Sequence, residues 1–118
     1  MLPEISITCG ETPAAFPPCP PDLSTLASGY LVQLQEVLHL GKESASLTVS
    51  QWPRSPWSPL AGSYAVLRAA ADFLYSHPAL RRLELCCAGE DCWRTYRFQW
   101  NMWFAERKEG APETVTNL

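Results

Sequence analysis

The residue types that most often carry chemistry are few in this chain and poorly framed for it. Its two histidines are His39 and His77. Neither belongs to a His-Glu-x-x-His helix. The chain has no Gly-x-Ser-x-Gly elbow, no phosphate-cradling glycine loop and no dinucleotide fingerprint. His77 precedes Pro78 at the end of a helix-periodic stretch, where interaction with the helix dipole is reason enough for it. His39 reads as a half-exposed sheet residue. Glu90 and Asp91 read as turn residues, and Glu84 as a solvent-face partner for Arg82 or Arg94. Cys86 and Cys87 are adjacent, so on a strand they point to opposite faces, and Cys92 follows without a Cys-x-x-Cys spacing. Cys9 and Cys19 lie in a proline-rich setting. All five cysteines therefore read as small buried hydrophobes and reduced thiols. No catalytic residue, metal or cofactor is predicted, and the protein is expected not to be an enzyme.

The chemistry that stands out belongs to surfaces. Five tryptophans are present, and of the nine basic residues seven are arginine, which suits stacking and planar hydrogen bonding. Trp52 and Trp57 lie in a loop broken by Pro53, Pro56 and Pro59. Residues 92–104 alternate almost strictly. As a strand, they put Tyr96, Phe98, Trp100, Met102 and Phe104 on the inner face, with Arg97 and Trp103 outside together with Trp93. A helical alternative runs its stripe through Trp93, Tyr96, Trp100 and Trp103 and leaves Phe98 and Met102 off it. The strand is preferred, because aromatic residues favour strands. Tryptophan and arginine dominate many protein interfaces. The predicted partner-binding residues are accordingly Trp52, Trp57, Trp93, Arg94, Arg97 and Trp103. The competing reading makes Trp52 and Trp57 lids folded over a small core.

These residues need elements to position them. Ile5–Cys9 alternates as a short strand. Residues 29–40 fit either a helix, through Leu31, Leu34, Val37 and Leu38, or a strand starting at Gly29. The turn at Gly41–Glu43 and the strand at Ser46–Ser50 favour a hairpin. The helix Leu60–His77, with Ser58 as N-cap and Pro59 at the first position, has a stripe of Leu60, Tyr64, Leu67, Ala71 and Leu74. Leu80–Cys87 is a strand, and with 92–104 it makes a second hairpin. The expected fold is α+β: a small antiparallel sheet of about four to five strands, order β-β-β-α-β-β, with one main helix packed on one face. The division is a proline-rich arm (1–22), a single domain (23–108) and a loose tail (109–118). In the arm, Pro17-Pro18-Cys19-Pro20-Pro21 is a candidate ligand for an aromatic groove, although a linker is the plainer reading. The tail's Thr116-Asn117-Leu118 would suit a groove that captures a free carboxylate.

At 118 residues and net charge −3, the chain fits one domain and excludes a globally basic nucleic-acid binder. Met1–Ile5 lacks the basic and apolar regions of a secretory signal and no long apolar run is present, so neither a leader nor a membrane span is predicted and an intracellular, cytoplasmic or nuclear setting is expected. Tyr64–Leu74 followed by His77–Cys86 resembles the last helix and strand of ADP-ribose-binding macro domains. The residues that would hold a nucleotide there are absent and the chain is too short for that fold, so no activity is carried over. The function expected is a protein–protein interaction module, a small subunit or adaptor of an intracellular complex. The alternative is a nucleic-acid-associated factor. Residues 81–108 hold Arg81, Arg82, Arg94, Arg97, Arg107 and Lys108 against four carboxylates, a local +2.

Overall fold

The computed structural model describes residues 3–104. Helix and strand alternate: β1 (Glu4–Cys9), α1 (Leu23–His39), β2 (Ser44–Val49), α2 (Pro59–Ser76), β3 (Arg82–Cys87) and α3 (Glu90–Gln99). A π-helical turn, Trp100–Phe104, continues α3. The sheet has three strands, all parallel, in the order β1-β3-β2. The tail 109–118, with its carboxyl-terminal Thr116-Asn117-Leu118, and also Arg107 and Lys108, lie outside the described residues.

The chain does combine helices with one small sheet. The antiparallel sheet of four to five strands and the order β-β-β-α-β-β are overturned, as is the single main helix. Each parallel neighbour is reached by a helical crossover, as parallel pairing requires. The strands stack their apolar residues in rows across the sheet: Ile5–Leu83–Ala45, Ile7–Leu85–Leu47 and Cys9–Cys87–Val49. All of these except Cys9 are buried. The other face is polar and carries Ser6, Thr8, Ser46, Thr48, Glu84 and Cys86, each exposed or half-buried. There the Glu84 carboxylate accepts hydrogen bonds from Thr8 Oγ1 at 3.0 Å and from Ser46 Oγ at 3.1 Å, tying both edge strands to the central one. Parallel sheets are normally covered on both faces and read as continuous apolar runs. This one leaves a face polar, so its strands alternate as antiparallel strands do.

Residues 29–40 form no hairpin strand; they belong to α1. Asp22, just after the proline run, caps that helix by accepting the Thr25 N–H at 2.7 Å. Gly29, read as a strand start, sits mid-helix on an exposed side, where an added Cβ would meet nothing within 4 Å. Only Leu26 and Leu34 are fully buried in α1, so its helical stripe is faint in the sequence. The sequence places α2 correctly. Ser58 Oγ accepts the Ala61 N–H at 3.1 Å and Pro59 opens the helix. Its buried face runs through Val66, Leu67, Ala70, Ala71, Phe73 and Leu74, while Leu60 stays outside. Ser58→Ala is expected to cost about 1 kcal/mol of folding free energy, measurable as a lower urea midpoint at unchanged slope.

The strand at 92–104 is also overturned: this segment is α3 and its π turn. Glu90 and Asp91 in the first turn and Arg97 in the last complement the helix dipole. Gly89 precedes them at φ 100°, a backbone conformation that favours glycine, and a Cβ there would meet Thr12 Oγ1. α1 packs on α2 and β2, and α3 packs on α2, β1 and β3, so each edge strand has a helix beside it.

Tyr30 of α1 and Tyr96 of α3 are set into this packing. Burial pushes the Tyr30 hydroxyl up to about 12, against the opposing hydrogen bond from the Ser50 backbone. Burial also raises Tyr96 well above the usual tyrosine range. An unfolded tyrosine titrates near pH 10. Above that, the unfolded chain releases a proton that the folded one keeps, which favours unfolding. The contribution is complete below about pH 10 and lost as pH rises toward about 12. Urea midpoints should therefore fall across this window, and Tyr30→Phe should flatten the decline.

Candidate functional site

α3 sorts its side chains by helical phase. Cys92, Tyr96 and Trp100 turn inward and are buried, Trp100 completely. Phe98, Met102 and Trp103 turn outward, at 50%, 50% and 56% exposure. The π turn is closed by i→i+5 rather than i→i+4 hydrogen bonds, so it holds more residues per turn, and such turns recur at functional sites. Here it carries Trp100 inward and Trp103 outward within a single turn. Gln99 is almost wholly buried, and its Nε2 donates to the Leu60 carbonyl, which fixes the end of α3 against the first turn of α2. Trp103 meets Tyr64 edge to face, with centroids 6.1 Å apart. Tyr64 and Leu60, the latter 49% exposed, thereby lie beside the end of α3, which exposes Phe98, Met102 and Trp103. Solvent-facing apolar groups gathered in this way mark contact surfaces more often than isolated ones do.

The six residues singled out in the sequence fall into three groups. Trp52 and Trp57 are half-buried against the core, edge to face at 6.2 Å. Trp57 lies directly on Gly62 of α2, where a Cβ would come within 2.7 Å of its Nε1, and Ser55 Oγ donates to its carbonyl at 2.6 Å. Trp52 donates its indole N–H to the Pro17 carbonyl at 2.7 Å. In the second group, the half-buried Trp93 donates its indole N–H to the Ile7 carbonyl at 3.4 Å. The Arg97 guanidinium covers the Trp93 ring at 5.3 Å, and Arg94 pairs with Glu90 one turn back. In the third group, Trp103 is the one exposed tryptophan of the four. Sequence reasoning placed Phe98, Met102, Leu60 and Tyr64 in the core. The usable signal was the pair of four-residue spacings, Glu90–Arg94 and Trp93–Arg97, which ties 90–99 to a helix.

A second feature is a cleft of about 420 Å³ at the carboxyl ends of the strands, the usual ligand position in parallel sheets. Thr12, Gln51, Trp52, Glu90 and Asp91 line it, with Cys92 at its base. A hydrogen bond to Cys92 and burial push the Cys87 thiol far above its ordinary range. Cys92 donates to the Val49 carbonyl at 3.6 Å. A thiol held protonated in this way is a poor nucleophile. His77 stacks on Phe73 at 4.0 Å, and its Nδ1–H donates to the Phe73 carbonyl at 2.9 Å, a helix-end role. His39 is exposed at the end of α1 rather than on a strand. Among the described residues no three His, Cys, Asp or Glu side chains converge as around a metal ion, and no helix is long and apolar enough to cross a membrane. Comparison with known protein families, with curated proteins and with solved structures finds no match to this chain.

Proposed function

We propose that the protein is a non-enzymatic interaction module, a small subunit or adaptor of an intracellular complex, that docks a protein partner on the outer face of α3. One observation carries this reading. Phe98, Met102 and Trp103, on α3 and its π turn, are half or more exposed, and Leu60, whose carbonyl receives the Gln99 side chain at the end of α3, is about as exposed. Their burial by a partner would contribute roughly 25 cal/mol per Å² of apolar surface, before the costs of association. Trp103 is the natural anchor, since large aromatic side chains concentrate binding energy.

The nucleic-acid alternative has weaker support. Arg81 faces Glu43 at 3.6 Å, Arg82 faces Glu4 at 3.8 Å and Arg94 pairs with Glu90. Arg97 is engaged over Trp93. These cations are matched locally and do not form a shared stripe along which a phosphate backbone would run. The two readings separate by salt. An apolar docking face should hold its partner through washes of rising salt, whereas phosphate contacts should weaken steeply. Retention by the immobilised full chain across a salt series is the test, and loss of all bound material at moderate salt would count against the protein-docking reading.

A further inference from the structure

The connection from β1 to α1, residues 10–22, is far longer than the two to six residues or so that usually join a strand to a helix. It holds five prolines, Pro13 and those of Pro17-Pro18-Cys19-Pro20-Pro21. Prolines fix φ and lack N–H groups, so this run has an extended backbone with carbonyls open to outside donors. The Pro17 carbonyl finds such a donor in the Trp52 indole, at 2.7 Å. Pro17 and Pro20 are spaced as in a Pro-x-x-Pro ligand, and both line a groove shared with Trp52, Tyr30, Gly29 and Gln33. About 230 Å³ of that groove is unfilled. Pro17 and Pro18 are exposed, and Cys19 and Pro20 only half-buried, so the segment is lightly held.

We propose that the Trp52–Tyr30 groove is a polyproline-recognition site, occupied in cis by the chain's own Pro17–Pro20 segment, and that a proline-rich segment of a partner protein exchanges with it. Aromatic grooves accept such segments because the ligand is extended before binding and loses little entropy. The indole N–H supplies the directional bond, and the ring beside Tyr30 supplies the apolar wall. A segment tethered at both ends competes at an effective concentration on the order of millimolar. The intact chain therefore binds a free proline-rich peptide weakly, and loosening the cis segment exposes the site. This surface is separate from the outer face of α3, and its fate does not depend on that of the docking face.

The test uses the full chain and a labelled peptide of residues 13–22 carrying Cys19→Ser. Substituting Pro17→Ser, Pro18→Ser and Pro20→Ser together should tighten peptide binding by about tenfold or more. Adding Trp52→Phe, which keeps an aromatic ring but removes the donor, should lose that gain. Far-UV circular dichroism confirms that each variant keeps its helices. Should the triple variant not fold, the wild-type indole N–H signals give the answer by nuclear magnetic resonance. Peptide above the effective concentration of the arm should shift the Trp52 indole selectively among the five tryptophans. A folded triple variant that does not bind overturns the proposal, as do binding indifferent to Trp52→Phe and an unmoved Trp52 indole. The segment is then a structural strap.

Discussion

Trp100→Ala should destabilise the domain by about 3–5 kcal/mol, the cost typical of deleting a fully buried large aromatic side chain. Trp100 is 0% exposed and belongs to the core cluster with Tyr96, Leu83 and Leu85. A domain of this size has only about 5–15 kcal/mol in total, so the variant should sit at the edge of folding. Phe98, two residues earlier, is the necessary control. It is half exposed, and Phe98→Ala should change stability by about 0.5 kcal/mol or less. Paired urea denaturation of the two variants reads both values. A strand over 92–104 would put Phe98 and Trp100 on the same inner face and make the two losses alike, so the size of the difference measures the helical phase directly.

Trp103→Ala should cost partner binding about 2 kcal/mol or more, roughly a thirtyfold weaker complex, while stability changes by about 1 kcal/mol at most. The small folding term is its edge-to-face contact with Tyr64, a pair worth about 0.5–1.5 kcal/mol when formed. Trp93→Ala should behave in the opposite way. That ring is half-buried, bonded to the Ile7 carbonyl and covered by Arg97, so its loss falls on folding. A Trp103→Ala variant with a lowered unfolding midpoint and intact partner binding would place Trp103 with the core and leave α3 without an anchor.

Particular residues explain what the sequence disclosed and what it hid. Ser58, Pro59 and the Leu67–Ala71–Leu74 spacing marked α2 because capping and periodicity agree there. Leu83 and Leu85 marked β3 for the same reason, through alternation. Strand direction was not legible. Ser46, Thr48 and Glu84 face outward on a parallel sheet with one polar face, and that pattern is indistinguishable from a half-buried antiparallel hairpin. α1 was hidden because Gly29 and Val32 are exposed and only two of its positions are fully buried. In 92–104 the aromatic run satisfied two periods at once, and the propensity of aromatic residues for strands outweighed the Glu90–Arg94 spacing. The candidate site suffered from that last ambiguity. Trp103 was found only through the strand reading, since the helical stripe would have turned it inward; it is exposed because the π turn ends the helix there, whereas Phe98 and Met102 are outward only on a helix and were assigned to the core.

The most direct test of the docking account compares capture by the full chain with capture by a Phe98→Ser/Trp103→Ser variant, both from nuclease-treated extract and with the variant first shown to unfold at the wild-type midpoint. The account predicts a stoichiometric protein that the wild type retains and the variant loses, with a Trp52→Phe chain retaining it as the wild type does. The same proteins on both chains, or material that binds the wild type only when nuclease is omitted, would contradict it.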